Sequence, residues 1–207
     1  MRQKVLVACE FSGVVRRAFR RQGYDAWSCD ILPAEDGSKY HIQGDVMDVL
    51  DDGWDLMIAH PPCTYLANSG VSWLYRQEGR WDSMKEGAQF FKSLLNADIP
   101  QIAIENPIMH KCAKEIIGKD KTQVIQPWMF GHSEQKATCL WLKNLPVLQE
   151  THNVKEEMLA LPDNQRQRLH HLPPSKNRWK LRSKTFEGIA EAMAEQWGKS
   201  LLMEAKA

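Results

Sequence analysis

Long hydrophobic runs are missing from this sequence of 207 residues, and no stretch approaches the length of a membrane span. The start, Met1-Arg-Gln-Lys followed at once by a short strand-like run, carries no apolar core of signal-peptide length. The expectation is a soluble, cytoplasmic protein with no membrane partner. An excess of charge of either sign is missing too: 27 Lys and Arg stand against 26 Asp and Glu, so net charge alone names no partner. The five cysteines (Cys9, Cys29, Cys63, Cys112, Cys139) are odd in number, widely spaced and free of any C-x-x-C pair, which argues against a disulfide framework or a zinc knuckle. Seven histidines, His170-His171 among them, lack Cys or carboxylate at ligand spacing, so no metal site is expected. No internal repeat or low-complexity segment breaks the chain. With 43% hydrophobic residues it can bury one good core, and it is too short for two full catalytic domains.

What is present begins with Lys4–Cys9, a continuous β-branched apolar run of the kind a central parallel strand requires. Glu10-Phe11-Ser12-Gly13 interrupts it before Val14–Gln22, which reads as a helix. A strand, a glycine turn and a helix N-terminus in that order point backbone N–H groups at the strand edge, which suits a polar or anionic cofactor. A second strand ends in Asp30, where an acid can take ribose hydroxyls. After a polar loop over Asp36–Lys39, a third short strand leads to Asp45, which equally reads as an N-cap for a helix over Val46–Leu50. One sheet edge thus offers a glycine turn and two acids, as a nucleoside-cofactor pocket does.

The chain is organised around Trp54–Cys63. Leu56–Ala59 is long enough for a buried strand and too short for a helix, and the strand ends at His60. Pro61 and Pro62 stop pairing and helix alike, and deliver Cys63 into the crevice at the carboxyl edge of the sheet. Thr64–Gly79, with Tyr65, Trp73 and Tyr75, has no clean period and reads as a mobile loop or lid. Trp81–Ala97 has apolar residues at helical spacing, with Asp82 or Ser83 as cap. Pro100–Ile104 reads as a buried strand running into Glu105-Asn106-Pro107, which places a second reactive side chain at a strand end. Met109–Gly118 reads as a short helix, Gln126–Gly131 as a turn, and Lys136–Leu142 as a strand.

From Gln149 the character changes. Asn164–Lys184 holds seven basic residues (Arg166, Arg168, Lys176, Arg178, Lys180, Arg182, Lys184) and no acid, with Pro173-Pro174 inside and Trp179 among the charges. Phosphate binding is the functional reading, with Trp179 as a stacking surface; a solvated loop is the bland one. Thr185–Leu201 is amphipathic, with Ile189, Met193 and Trp197 on one face, and reads as a docked terminal helix. The fold class is α/β, a mostly parallel sheet with helices on both faces. Residues 1–148 form the catalytic and cofactor-binding part, 149–184 a small basic nucleic-acid-contacting segment, and 185–207 a helix returning to the first part.

Cys63 and Glu105 together suit a pyrimidine. Carbon 5 of cytosine is a poor nucleophile, but a thiolate adding at C6 turns the ring into an enamine that attacks an electrophilic methyl group. A carboxylic acid bonded to N3 stabilises the charge that develops.

At this point the sequence resembles the S-adenosylmethionine-dependent cytosine-C5 methyltransferases. Phe11-Ser12-Gly13 is similar to that family's first motif, Pro61-Pro62-Cys63 to its catalytic motif, and Glu105-Asn106-Pro107 to its E-N-V motif. Gly131–Thr138 is similar in placement to the motif that helps hold the target base. The resemblance implies a Rossmann-like methyltransferase fold, S-adenosyl-L-methionine as cofactor and DNA as partner, with RNA open. It implies catalytic roles for Cys63, Glu105, Lys136 and Thr138. It also implies cofactor contacts from Phe11, Ser12, Gly13, Asp30 with Ile31, Asp45 with Val46, Pro61, and Gly188 in the last motif. As a whole-chain impression it extends to small phage- and prophage-borne proteins labelled cytosine methyltransferases.

This chain departs from the family's pattern in four places. Val14 or Val15 replaces the first motif's second glycine, Thr64 stands for the usual glutamine, and Lys136 and Thr138 replace two arginines. Only about forty residues, Lys143 to Arg182, occupy the place of a recognition domain, room for phosphate contacts and a wedge rather than a major-groove reader. Rival readings are an amino-methyltransferase of adenine N6 or cytosine N4, whose [D/N/S]-P-P-[Y/F/W] frame His60-Pro-Pro-Cys63 shares, a catalytically silent nucleic-acid-binding module, and an RNA cytosine methyltransferase.

Overall fold

The computed structural model describes residues 2–204, with side chains to residue 201; residues 205–207 of the expected terminal segment lie outside the described residues. Seven strands form one sheet: β1 (Lys4–Ala8), β2 (Asp25–Asp30), β3 (His41–Gln43), β4 (Leu56–Ala59), β5 (Gln101–Pro107), β6 (Gln123–Ile125) and β7 (Thr138–Lys143). Their order is β3-β2-β1-β4-β5-β7-β6, and β7 alone runs antiparallel to its neighbours. This is the sheet of the Rossmann-like methyltransferase fold.

The near-continuous apolar strands follow from burial on both faces. Helix α1 (Val14–Arg21) and the last helix cover Val5, Val7, Leu56, Ile58, Ala103 and Leu140. Helices α2 (Arg80–Leu95) and α3 (Lys111–Ile117) cover Leu6, Ala8, Met57, Ala59, Ile102 and Ile104 on the opposite face. Four short helices, α4 (Lys155–Ala160), α5 (Asp163–Arg166), α6 (Arg168–His171) and α7 (Arg178–Ser183), precede α8 (Glu187–Glu204). Ile189, Met193 and Trp197 of α8 are buried, as their spacing predicts.

Several local expectations are corrected. The segment after Cys63 is not structureless: Asn68–Tyr75 forms a 3-10 helix, held when Asn68 N–H donates to the Ile108 carbonyl at 2.8 Å and His110 N–H to that of Leu66 at 3.1 Å. Neither Asp82 nor Ser83 caps α2; its N-cap is Gly79 in the left-handed region, and no side chain bonds there. The basic segment has no long helical period because it breaks into α5, α6 and α7 around its prolines. The N-cap reading of Asp45 is borne out, since it accepts from Met47 N–H at 3.0 Å, but the helix it caps is a 3-10 turn over Val46–Val49.

Candidate active site

The strand order reverses direction between β1 and β4, and open sheets of this kind bind ligands where it does. On the β1 side, β1 is followed by Cys9, whose φ of 59° is the left-handed region a non-glycine residue seldom enters. Burial pushes its thiol far up, and the charges of Asp30 and Asp45 add to the effect. Asp30 accepts from Leu32 N–H at 2.9 Å, while burial pushes its carboxyl above the ordinary range. Ile31 beside it is exposed, and Val46 is buried.

The α1 N-terminus does not wait for an anionic ligand, contrary to the sequence expectation. Glu10, 4% exposed, fills it: Oε1 accepts from Val15 N–H at 2.7 Å and Oε2 from Arg16 N–H at 3.3 Å. Gly13 has φ 68°, and a Cβ there would stand 2.3 Å from Arg16 Nη2, so the turn is shaped to admit a buried guanidinium. Arg16 in turn donates to Ser28 Oγ at 2.9 Å and pairs with Asp36. A pyrophosphate would therefore find these N–H groups taken. A nucleoside without phosphate, rich in hydroxyl and amino donors, is what two strand-end acids suit.

On the β4 side the two reactive candidates lie within electrostatic reach of one another. Cys63 is exposed. The protein mass around its thiol pushes it up, Glu105 pushes it further, and Lys136 and Arg182 pull it down, with a net rise. Glu105 is not at a strand end: β5 continues through Pro107, because Glu105, Asn106 and Pro107 pair with Leu140, Cys139 and Thr138 of β7. That pairing fixes the Glu105 backbone, and its carboxyl is 16% exposed. Burial raises Glu105, but the hydrogen bond from His60 Nδ1 to Oε2 at 3.2 Å, the Lys136 charge and the His60 charge outweigh it, so the carboxyl stays ionised below the usual range. Asn106 Nδ2 donates to the Pro61 carbonyl at 2.9 Å.

Lys136 lies close enough to lower both Cys63 and Glu105, and its Nζ donates to the Arg182 carbonyl at 2.9 Å. Thr138 is buried and turns its hydroxyl to the Lys136 carbonyl at 3.2 Å. Gly188 sits in the first turn of α8, where a Cβ would overlap the Phe130 carbonyl at 2.0 Å, so close packing accounts for its missing side chain.

The basic stripe divides. Arg166 pairs with Asp163 at 3.0 Å, Arg168 with Glu134 at 2.7 Å and Lys184 with Glu35 at 2.6 Å. Arg178 donates to the Leu172 and His170 carbonyls. Trp179, half exposed, lies with its ring 5.7 Å from that of Phe11, and Lys180 sits over both rings. Helix α7 thus reaches the turn assigned to the cofactor. Lys176 and Arg182 make no ion pair among the described residues. Sequence reasoning missed Glu10 and the His60–Glu105 contact; the one available signal was that both side chains follow the ends of adjacent strands, β1 and β4.

No protein-family model matches the chain, and no curated protein matches it by sequence. Among solved structures it is similar to a prophage-encoded Escherichia coli protein described as a DNA modification methyltransferase, at 15% identity and TM-score 0.47, covering 78% of this chain and 56% of that one. It is also similar to Spodoptera frugiperda DNMT2, at 15% and 0.43 over 73% and 54% of the two chains, and to Schizosaccharomyces pombe Dnmt2, at 14% and 0.41 over 96% and 66%. The chain spans little more than half the length of the first two. Likeness of this degree carries no residue roles.

Proposed function

We propose that this protein is an S-adenosylmethionine-dependent methyltransferase that methylates carbon 5 of cytosine in DNA through a covalent Cys63 adduct, with low sequence specificity. The observation that carries the reading is that Glu105 and Lys136 each lie near enough to Cys63 to act on its thiol, while the turn after β4 that carries Cys63 is tied to β5 by the Asn106–Pro61 hydrogen bond. Asp30 suits the cofactor's hydroxyls, Asp45 its amino group and Phe11 a wall beside it. Neither acid needs the α1 N-terminus that Glu10 fills. When bound, the cofactor supplies an electrophilic methyl group.

The chain's own residues do the rest. The resting thiol is mostly protonated, so Lys136 and Arg182 act by favouring the thiolate as it adds to C6 of the base. Glu105 engages N3 and takes up the charge that develops there. A flipped base costs a few kcal/mol of unstacking, offset by contacts to the backbone. Of the basic stripe, Lys176, Lys180 and Arg182 are the groups left for phosphates. Three cations, two on the short helix α7 and Lys176 in the turn before it, give affinity rather than the several rigid base contacts that reading a long site requires.

An oligonucleotide carrying 5-fluorocytosine tests the reading, because fluorine blocks the final elimination. The wild type with cofactor should form an adduct that survives denaturation, and Cys63→Ser should form none. Methylation of cytosine by Cys63→Ser would make the thiol structural. Bisulfite sequencing of a modified genome tests specificity: methylation confined to one motif of four or more base pairs would overturn that part.

A further inference from the structure

The roles above give His60 no task, and its surroundings supply one. His60 follows β4, and its N–H donates to the Ala8 carbonyl at 2.9 Å, which pins it beside β1. The side chain is 8% exposed. Nδ1 bonds Glu105 Oε2, and Nε2 is buried with no partner. Glu10 lies near enough on the other side to feel the charge of the ring. A buried polar atom without a partner costs about 1–3 kcal/mol. An apolar side chain of similar size would avoid that cost, so stability alone does not explain a histidine here.

We propose that His60 is a positioning residue of this site: its Nδ1–H holds Oε2 of Glu105, fixes the rotation of the carboxyl, and leaves Oε1 as the oxygen offered to the target base. Oε1 takes no hydrogen bond from the described residues. The proposal rests on the C5-methylation reading. In that reaction the resting carboxylate takes a proton from solvent as the base binds, so that Oε1–H engages N3 as an acid. As the thiolate adds to C6, the O–H bond at Oε1 breaks, an N–H bond forms at N3, and the charge left on the carboxylate is already met at Oε2 by His60. Once C5 has gained the methyl group, with the donor's S–CH3 bond broken, a water takes the C5 proton, the C6–S bond breaks to release the thiolate, and the proton returns from N3 to Oε1. A freely rotating carboxyl would present either oxygen and leave the resulting charge unmatched.

The titratable groups near Glu105 are His60 from the end of β4, Lys136 from the approach to β7, the Cys139 thiol from β7 and the Cys63 thiol from the proline turn; Glu10, in the turn after β1, feels the charge of His60. His60 and Lys136 both favour the ionised carboxyl. Activity that needs the acid form is present at low pH and falls as pH rises through the Glu105 titration. Removing His60 removes a donor to the charged form, so that fall moves to higher pH.

The test compares the wild type with His60→Ala and His60→Asn, whose amide keeps a neutral donor close to the place of Nδ1. Carboxyl 13C NMR of glutamate-labelled protein follows the Glu105 titration, identified by its loss in Glu105→Gln. The expected result in His60→Ala is a Glu105 titration at higher pH, an alkaline limb of kcat/KM moved the same way, and a kcat roughly 10- to 100-fold lower, with KM for the cofactor unchanged. His60→Asn should recover most of the rate and most of the titration. An unmoved titration and limb in His60→Ala would overturn the proposal; if that variant does not fold, a His60→Asn titration no closer to the wild type than that of His60→Leu does the same. The NMR arm needs no activity, so a shifted titration in a protein that methylates no cytosine would overturn the C5 reading and leave the contact standing.

Discussion

Asn106 donates through Nδ2 to the carbonyl of Pro61 at 2.9 Å, so the strand that positions Glu105 also holds the turn that presents Cys63. The bond is buried, and Oδ1 of the same side chain has no partner. Asn106→Ala should lose about 1–2 kcal/mol of stability, the range for a buried hydrogen bond that leaves one carbonyl unpaired. It should slow the 5-fluorocytosine adduct by more than that loss accounts for, because Cys63 is no longer tied to Glu105. Urea denaturation and the single-turnover adduct rate measure the two effects separately.

Glu105 and Lys136 pull the Cys63 thiol in opposite directions. Alkylation by iodoacetamide at a pH just below the thiol's own should therefore slow in Lys136→Met and quicken in Glu105→Gln. Cys9 and Cys29 serve as internal standards, since burial raises both, Cys29 to about 11, and neither feels Glu105 or Lys136. Peptide mapping by mass spectrometry reads each site. A thiol unmoved by both changes would remove these side chains from its surroundings.

Arg16 is 1% exposed and depends on Asp36. Burial raises the Asp36 carboxyl, but the hydrogen bonds from Arg16 and Arg17 outweigh it and hold it below the usual carboxylate range. A depressed folded-state value contributes stability that is present above the unfolded value and lost as pH falls through the folded one. Asp36→Asn should thus cost roughly 3 kcal/mol at neutral pH, the lower range for stranding a buried charge. The gap to the wild type should close below the ordinary carboxylate range, and melts taken from pH 7 down to 2 follow it.

The divided basic stripe gives a salt-dependence prediction. Replacing Lys176, Lys180 and Arg182 by Gln should flatten the dependence of DNA affinity on salt by about one unit of slope for each phosphate left without its cation. Replacing Arg166 and Arg168 should change it little, because Asp163 and Glu134 already neutralise them. Fluorescence anisotropy over a salt series distinguishes the two sets.

Most of the fold is legible in the sequence because a sheet buried on both faces writes itself as apolar runs. Lys4–Ala8, Leu56–Ala59 and Gln101–Ile104 are each readable in that way. β6 is not, since Gln123–Ile125 is a three-residue edge strand with one exposed side chain. The end of β5 is misread because Glu105-Asn106-Pro107 looks like a terminus, while only the antiparallel partner β7 keeps it extended. Asp30 at the end of β2 and Asp45 just beyond β3 are legible as positions at the carboxyl edge of the sheet. What fills a helix N-terminus is a distance between two turns, and no spacing between Glu10 and Val15 announces it. Likewise a run of seven cations shows its sign but not its partners, since Glu35, Asp163 and Glu134 come from outside it.

The placement of α8 bears on how the protein is made. Its Trp197 is fully buried, donates to the Pro146 carbonyl at 2.9 Å and joins Val5, Val15, Phe19 and Leu56 in one core cluster. β1 and α1 therefore wait until every other strand of the sheet has left the ribosome, and α8 after them, before their outer face is covered. Domains that complete their core early can fold during synthesis, N-terminal part first. Here α1 and one face of β1 and β4 lack their cover until α8 emerges, so a chain ended before α8 would leave that apolar face exposed.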